Sequence, residues 1–374
     1  MMIDALGKSV VTDLLARADI TCGGENPWDI TVHDEAFYRR LLLGGSIGLG
    51  DSYVEGLWDC PALDQMFFRI LRRSHGTKAL WNPARWLHRL HGRLGNRQSP
   101  RRAFDLRHYD IGNDLFQHML DSRMVYSCGW WQDAEDLEAA QQAKLELVCR
   151  KLGLKPGMRV LDIGCGWGSF MKYASERYGV SCVGVTISPA QIELGRQMCA
   201  GLPIEFRLLD YRRLDGRYDA IASIGMFEHV GRRNYRRFME IARTALARDG
   251  LMLLHTIGAK TSRAVDAADP WLSRTIFLNG ELAGMKQIVQ AADGLLTIED
   301  WHNFGADYDR TLMAWHASIE RAWPLLGARY DESFRRMWCY YLLCCAGLFR
   351  ARAAQLWQIV FSRKGMVGGY RSIR

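Results

Sequence analysis

The feature that most constrains this fold is a regular alternation of short β-branched runs with helical stretches, which begins near residue 150. Five runs have the composition of strands: RVLDI (159–163), SCVGV (181–185), IEFRL (204–208), YDAIAS (218–223) and LMLLHT (251–256). Two later runs, TIEDWHNF and LWQIVFSR, are candidates for further strands. The rhythm predicts an α/β domain with a mostly parallel sheet covered by helices on both faces.

The first hundred residues show helical patterning, so we predict two domains. A helical domain is expected over residues 1–100 and a larger sheet-containing domain over 101–374. Charges at Asp4, Lys8 and Asp13 interrupt the N-terminus and leave no apolar signal core. The apolar run at 337–349 is shorter than the roughly 20 residues that cross a bilayer, so we predict a buried helix there and a cytoplasmic protein.

The positive charge of the chain is concentrated in one stretch. The formal net charge is +8, and residues 66–107 alone contain eleven Arg or Lys and one acid. Within that stretch Arg85, Arg89, Arg93 and Arg97 recur every four residues beside a leucine-rich face. This pattern is typical of a helix at a membrane interface, and equally of a surface helix packed on its own domain with a solvated basic face. Nucleic acid is a third possible partner, but no binding motif supports it.

The ten cysteines are scattered and form no CxxC pair. Neither a zinc site nor a disulfide scaffold is indicated by this spacing. Most of these residues are expected to be small buried hydrophobes.

A glycine-rich segment follows the first predicted strand. VLDIGCGWGSF (160–170) places Asp162 before Gly164 and Gly166 with the spacing GxGxG, whereas a dinucleotide fold uses GxGxxG. The segment resembles motif I of class I methyltransferases, which use S-adenosylmethionine (SAM). The carboxylate of Asp162 suits the cationic half of such a sulfonium amino acid.

The next two strand ends differ in what they offer a ligand. The second ends in GVTISPAQ, where Thr186, Ser188 and Gln191 offer neutral hydrogen bonds and the usual ribose-binding acid is missing. That departs from the general methyltransferase pattern and also argues against NAD. After the third strand, Asp210 is placed either to accept from an adenine amino group or to cap its own loop.

Longer motifs then match a known family in order along the chain. They are HYDIGNDLF (108–116), YSCGWW (126–131), VLDIGCGWG, GVTIS, GMFEHVG (225–231), LLHTIG (253–258) and HNFGADYDRTLMAWH (302–316). Together they resemble the bacterial cyclopropane-fatty-acyl-phospholipid synthases and the related mycolic acid cyclopropane synthases. The resemblance runs from about residue 105 to the C-terminus and is looser before it.

The resemblance implies a class I SAM-dependent methyltransferase core, Rossmann-like with seven strands, and a small helical N-terminal domain that contacts lipid. It implies methylene transfer to the cis double bond of an acyl chain in a membrane phospholipid, through a carbocation that bound bicarbonate deprotonates. It also implies a homodimer on the inner face of the membrane. By motif position, bicarbonate is expected near Cys128, Glu228, His255, Ile257 and Tyr308. SAM is expected to contact Tyr126, Ser127, Asp162, Gly164, Gly166, Thr186, Gln191 and Asp210.

Simpler interpretations stand beside these. His255 fits a structural residue at a strand end, and Glu228 fits the first turn of a helix. Asn113 either caps the helix that follows it or, with Tyr109, closes the pocket. Tyr126, Phe227 and Tyr308 are candidates to stabilise a cation through their aromatic faces.

Three other functions remain open at this point. One is a SAM enzyme that acts on a polar small molecule. Another is a lipid methyltransferase whose cation ends as a methyl branch or an alkene. The third is a protein that binds SAM or membranes without catalysis.

Overall fold

The computed structural model describes residues 2–73, 112–262, 269–278 and 280–374. Within these ranges the chain forms two compact units. The helical unit takes its residues from Met1–Arg97, Ala267–Asn279 and Tyr308–Ala354, and the sheet unit from Gln98–Asp266, Gly280–Asp307 and Gln355–Arg374. The predicted boundary near residue 100, the predicted helix at 80–97 and Tyr109 lie outside the described residues.

The described helices and strands follow in chain order. The helices are α1 (Met2–Ala16), α2 (Ala36–Gly44), α3 (Ser46–Val54), α4 (Leu63–Arg73), α5 (Asn113–Met119), α6 (Leu137–Lys151), α7 (Ser169–Tyr178), α8 (Pro189–Met198), α9 (Tyr235–Ala245), α10 (Pro270–Thr275), α11 (Met285–Ala292), α12 (Asp307–Leu326) and α13 (Glu332–Arg350). The strands are β1 (Thr31–Val32), β2 (Trp58–Asp59), β3 (Arg159–Ile163), β4 (Ser181–Thr186), β5 (Ile204–Leu208), β6 (Tyr218–Ile224), β7 (Leu246–Ala259), β8 (Thr297–Asn303) and β9 (Ala354–Ser362).

The sheet unit is built on seven strands in the order β5-β4-β3-β6-β7-β9-β8. The first five pair in parallel, and β8 pairs antiparallel with β9. Alternate residues face opposite sides, so Leu161 and Ile163 join one buried core while Val160 joins the other. Apolar side chains on both faces require helices on both faces, which explains the near-continuous hydrophobic runs in the sequence. The predicted fold class is confirmed, including both additional strands.

One strand is longer than its sequence pattern predicts. The run 251–256 lies inside β7, which extends from Leu246 to Ala259. Pairing with β6 already begins at Leu246, opposite Tyr218, and a register irregularity then brings Leu251 opposite Ala220. The residues between these points carry no β-branched pattern, so the sequence does not predict where the strand begins.

The helical unit is discontinuous in sequence. Helix α13 packs against α3 and α4, and it approaches α4 so closely that a Cβ at Gly347 would lie 2.6 Å from the carbonyl oxygen of Asp64. Arg350, at its end, donates to Asp64 at 2.6 Å and to Asp309 at 2.8 Å. The predicted buried helix at 337–349 is confirmed within α13. Residues 308–354, which the sequence assigned to the catalytic domain, therefore share a core with the N-terminal helices.

The described part of the basic stretch is partly neutralised within the helical unit. Arg69 and Arg73, on α4, both pair with Asp19, and the Arg69 guanidinium lies 3.5 Å from the ring centroid of Trp28. Among the described helices, none is both long enough and apolar enough to cross a bilayer.

Candidate active site

The loop between β3 and α7 is crowded at some glycines and open at another. Gly164, Gly166 and Gly168 have positive φ values of 87°, 53° and 88°. A Cβ at Gly168 would lie 2.6 Å from the ring of Phe206, and one at Gly164 would lie 2.7 Å from Met226. At Gly166 a Cβ would meet none of the described atoms within 4 Å. Gly166 is thus the point where a ligand can approach the backbone of the loop.

Helix α5 contacts this same loop. Its first residue, Asn113, accepts a hydrogen bond at Oδ1 from the indole Nε1 of Trp167 at 3.1 Å. The N-cap is Gly112, without a side-chain capping bond, so Asn113 does not act as the cap. The contact fits the expectation that Asn113 lies beside the pocket.

Asp162 is the penultimate residue of β3 and has a buried carboxyl group. Its Oδ1 atom is enclosed and accepts no hydrogen bond from the residues that the structure describes. Burial raises the pKa of Asp162 to about 7, and the charge of Lys144 acts in the opposite direction. A buried acceptor without a donor is the complement of a cationic ligand such as an ammonium group.

The end of β4 forms a closed set of hydrogen bonds with the start of α8. Thr186 Oγ1 donates to Gln191 Oε1 at 2.9 Å and accepts from the amide of Ser188 at 3.2 Å. Ser188 caps the helix by accepting from the Gln191 amide at 3.3 Å. Two of the predicted SAM contacts, Thr186 and Gln191, are therefore brought together beyond the end of this strand.

Asp210 follows β5 and is engaged by its own loop. It accepts from the backbone amide of Arg212 at 2.9 Å and from the guanidinium of the same residue. Burial opposes ionisation here, but the hydrogen bonds from Arg212 outweigh it and hold the pKa of Asp210 below its ordinary value. The capping role is thus present in the structure, and the contact with adenine stays a prediction.

The segment before α6 carries three of the predicted site residues. Tyr126 is half-buried with its ring edge-on to Phe116, while Ser127 and Cys128 are buried. Two buried side chains of α6 hold Ser127. Gln141 Nε2 donates to its carbonyl oxygen at 2.7 Å, and Lys144 Nζ donates to its hydroxyl at 2.8 Å.

Glu228 lies in a short 3-10 turn beyond β6 and reaches across to β7. Its Oε1 accepts from the backbone amide of Ile257 at 2.5 Å. Its Oε2 is buried and accepts no hydrogen bond from the described part of the chain. Burial raises the pKa of Glu228, although the Ile257 amide favours the carboxylate. Glu228 thus holds the backbone amide of Ile257, and the contact of Ile257 with bicarbonate stays a prediction.

His255 lies within β7, opposite the last residue of β6. Its Nδ1 is 3.3 Å from the amide nitrogen of Gln358 on β9, and its ring is edge-on to Phe304. Its Nε2 is buried without a partner among the described residues. Burial, aided by the charges of Lys144 and Lys151, lowers the pKa of His255 well below its usual value. The imidazole is therefore neutral, with Nε2 as the nitrogen left to a ligand.

Two aromatic candidates pack against other rings. Phe227 is fully buried, belongs to the core of the sheet unit and stacks on Tyr235 with ring centroids 4.2 Å apart, and its role beside a cation stays a prediction. Tyr308 belongs to the helical unit, where its ring stacks on Phe349 at 4.5 Å. Its role beside bicarbonate stays a prediction.

A separate cluster in the helical unit has metal-ligand chemistry. One potential ligand atom from each of His316, Glu320 and Cys339 lies within 4.8 Å of the others. The carboxylate of Glu320, however, is already held by two hydrogen bonds from Arg335, at 3.1 and 2.6 Å. The cluster is an ion-pair network built around Glu320.

Comparison with known proteins identifies the family. Residues 97–359 match the family model described as mycolic acid cyclopropane synthetase. This chain belongs to that family. A cyclopropane-fatty-acyl-phospholipid synthase of Escherichia coli K12 is 48% identical over 98% of this chain and 95% of its own length. A probable fatty acid methyltransferase of Pseudomonas putida is 36% identical over 68% of this chain and 67% of its own length.

Solved structures of cyclopropane synthases share the fold. One from Mycobacterium tuberculosis has a TM-score of 0.66 at 30% identity, and covers 72% of this chain and 100% of its own. A mycolic acid cyclopropane synthase complexed with SAH and CTAB has a TM-score of 0.64 at 32% identity, over 70% of this chain and 98% of its own. The resemblance seen in the motifs and the predicted enzyme class, a SAM-dependent cyclopropane synthase, are confirmed.

Four residues that contact predicted site residues are not marked individually by any pattern in the sequence. They are Gln141, Lys144, Phe304 and Gln358, which contact predicted site residues from neighbouring elements. A lysine or glutamine within a helix ordinarily faces solvent, so no local pattern marks these side chains as buried.

Proposed function

We propose that this chain transfers a methylene group from SAM to the cis double bond of unsaturated acyl chains in membrane phospholipids and closes a cyclopropane ring. The relationship to a phospholipid cyclopropane synthase across nearly the whole chain carries this proposal. The buried, unpartnered polar atoms at the carboxyl edge of the sheet support it, because ligands of such folds bind at that edge.

The residues at this edge fit SAM. Asp162 offers a buried acceptor to the ammonium group, and Gly166 permits close approach of the loop backbone. Thr186 ends β4, Gln191 lies in the following helix and Asp210 follows β5, where they would hold the adenosine half. SAM supplies an electrophilic methyl group on sulfur. The protein has to place that methyl against the alkene, which is a poor nucleophile, and binding in near-attack geometry is the main source of acceleration available.

Burial of the site has a chemical purpose in this proposal. Methyl transfer to an alkene leaves a carbocation on the neighbouring carbon, and water would capture it as an alcohol. Cys128 and His255 are at most 1% exposed, so few solvent molecules share their surroundings. Exclusion of water keeps the cation available for ring closure.

A small anion is the proposed base, and Glu228 and His255 are the proposed side chains that hold it. Bicarbonate supplies a weak base that does not trap the cation as a protein carboxylate would. Glu228 directs Oε2 away from the Ile257 amide, and burial favours its protonated form, which donates to an anion. His255 is neutral and can donate from Nε2 when Gln358 donates to Nδ1. Cys128 and Tyr308 are proposed to complete the set.

Membrane association and assembly follow from the same proposal. A phospholipid substrate requires contact with a bilayer surface, so we place the protein on the inner face of the membrane as a peripheral homodimer. The concentration of arginine and lysine between residues 66 and 107 suits anionic lipid.

The deciding experiment is incubation of the purified protein with SAM and vesicles of monounsaturated phospholipid, followed by mass spectrometry of the acyl chains. We expect a gain of one methylene with loss of the olefin, and derivatisation that identifies a ring. A methyl branch or a retained alkene would instead place the chain among lipid methyltransferases. Unmodified lipid, with SAM binding intact, would overturn the proposal.

A further inference from the structure

Helix α6 buries two polar side chains against the proposed cofactor site. Gln141 and Lys144 are three residues apart and therefore project from the same face of the helix. Lys144 is 1% exposed. An ammonium group removed from water costs several kcal/mol unless charges and hydrogen bonds compensate. We therefore expect the ammonium group of Lys144 to have a specific partner.

Lys144 donates a hydrogen bond to a residue that is proposed to contact SAM. Nζ lies 2.8 Å from the hydroxyl oxygen of Ser127, and Gln141 holds the carbonyl of the same residue. Helix α6 thereby fixes Ser127 through both its side chain and its backbone. A displaced Ser127 would also displace Cys128, which follows it.

The charge of Lys144 faces a second SAM-binding candidate. The charged or titratable groups around it are Asp121, Cys128, Asp162 and His255. Of these, His255 is neutral because burial lowers its pKa well below the usual value. Asp162 itself faces Lys144 and the thiols of Cys165 and Cys182, whose pKa values burial raises.

We propose that Lys144 is a positioning residue of the cofactor site, which fixes Ser127 by its hydrogen bond and favours the ionised form of the buried Asp162 that receives the ammonium group of SAM. This inference rests on the proposed function, since it assumes that Asp162 and Ser127 contact the cofactor. Without the lysine, Asp162 would be buried beside no compensating cation and would bind a proton. SAM would then have to displace that proton, which makes its affinity depend on pH.

The ionisation range of these groups sets the expected profile. Burial raises the pKa of Asp162 to about 7 and that of Asp121 to about 6, and lowers that of Lys144 to about 8. Because the charge of Lys144 acts to lower the pKa of Asp162, loss of the lysine reduces the ionised fraction of Asp162 most near pH 7 and least near pH 9. Above pH 8 the native lysine loses its own charge, so the effect of that charge on SAM binding disappears.

The test is the dissociation constant of SAM, measured by titration calorimetry between pH 6.5 and 9 on the full chain. The variants are Lys144→Met, which removes bond and charge, and Lys144→Gln, which retains an N–H donor without the charge. We expect Lys144→Gln to bind SAM several-fold more weakly than the native protein at pH 7, with a ratio that approaches one by pH 9. Lys144→Met should bind SAM more weakly than Lys144→Gln at both pH values, because it also removes the hydrogen bond to Ser127. The amino group of SAM titrates in the same way in every experiment, so the ratio of the two dissociation constants does not depend on it.

Lys151→Met is the matched control, because Lys151 is a second buried lysine on α6 whose partners are His302 and Asp300. Its profile of SAM affinity against pH should follow that of the native protein. A ratio for the Lys144 variants that stays constant with pH, or equals one throughout, would overturn the charge role. Asp162→Asn separates this inference from the proposed function. If that variant binds SAM as the native protein does, the cofactor assignment itself fails. If it binds weakly, and Lys144→Met adds no further pH dependence to it, the coupling is supported.

Discussion

The two carboxyl oxygens of Glu228 have different surroundings. Oε1 is bound to the Ile257 amide, and Oε2 is buried and accepts no hydrogen bond from the described residues. A buried carboxyl in this state is stabilised when protonated, and it then presents one acceptor and one donor. Glutamine presents the same pair without charge, whereas alanine presents neither.

For this reason we expect Glu228→Ala to lose at least about a hundredfold in turnover while SAM affinity changes less than threefold. Glu228→Gln should lose less, because its carbonyl can accept from Ile257 and its amide can donate to the anion. Turnover at saturating SAM and calorimetric SAM binding would be compared in both variants. Normal turnover by Glu228→Ala would remove the bicarbonate assignment.

A second expectation concerns the tautomer of His255. Gln358 pairs with Nδ1, and its loss would free the imidazole to adopt either tautomer and to rotate. Gln358→Leu should lower turnover roughly tenfold or more with little change in SAM affinity. Gln355→Leu, on the same strand but at a half-buried position beside Asn303, is the control. Equal effects of the two variants would reduce the role of Gln358 to strand stability.

Some residues of the site could be predicted from the sequence, and others could not. Asp162, Glu228 and His255 stand in long motifs, so a resemblance locates them. Lys144 and Gln141 stand in LEAAQQAKLELVCRK, whose polar residues look solvent-facing. Their burial results from strands and loops that are distant in sequence, and no local period records that. The same holds for Phe227, whose place in the core depends on Tyr235 and Phe238.

At the scale of elements, the predicted site residues lie together at the carboxyl ends of the parallel strands. The glycine loop follows β3, Thr186 ends β4, and Glu228 and His255 lie where β6 meets β7. The strand rhythm alone predicts that edge, since a parallel sheet brings its carboxyl ends to one side. The extent of β7 was not predictable, because Arg248, Asp249 and Gly250 interrupt its apolar pattern and its pairing depends on β6.

Two glycines in that loop should respond differently to alanine. Gly168→Ala places a Cβ at positive φ against the ring of Phe206, and we expect a loss of about 2 kcal/mol or more in the free energy of unfolding. Gly166→Ala meets open space, so the loss should be about 1 kcal/mol, with a larger effect on SAM affinity. Denaturant unfolding and SAM titration of both variants check this. A stability loss at Gly166 that matched Gly168, without a change in affinity, would contradict it.

Helix α6 also carries a lysine with a pH-dependent energetic effect. Burial lowers the pKa of Lys151 from its ordinary 10.5 to about 7. Below pH 7 it is charged in both states, and the burial penalty is full. Between pH 7 and 10.5 the unfolded chain holds a proton that the folded chain has released, so the free energy of unfolding rises with pH.

We therefore expect stability to rise by up to about 2 kcal/mol more in the native protein than in Lys151→Met between pH 7 and 9. The partner Asp300 keeps its ion pair with Arg374 at 2.6 Å in the variant, so no buried carboxylate is left uncompensated. Urea unfolding at both pH values gives the difference. A parallel rise in both proteins would assign the pH dependence to other groups.

At the scale of the whole molecule, the division of the chain is less simple than its sequence suggests. The sequence predicts a helical N-terminal domain, and the described N-terminal residues are helical. Composition does not reveal that α12 and α13 complete the core of that unit. Contacts between segments almost 300 residues apart, such as Arg336 donating to the Tyr53 carbonyl at 2.7 Å, leave no signal in a single sequence.

A fragment that begins at residue 101 should consequently fold poorly. It would lose the helices that cover α13, and Arg336 would lose its acceptors at Tyr53, Trp58 and Asp59. We expect aggregation or a broad, low-temperature unfolding transition, measured by size-exclusion chromatography and calorimetry. Addition of the separate 1–100 segment should restore part of the cooperativity. A fragment that is monomeric and unfolds as sharply as the intact chain would contradict this.

The discontinuity of the helical unit also affects how the chain is made. On the ribosome, α4 is complete at Arg73, but its partner α13 ends only at Arg350. At about 5 to 20 residues per second, the nascent N-terminal helices wait roughly 15 to 55 seconds for the segment that covers them. During that interval their apolar faces are available to chaperones or to other nascent chains. The rate of translation between these two helices can therefore determine the yield of native protein.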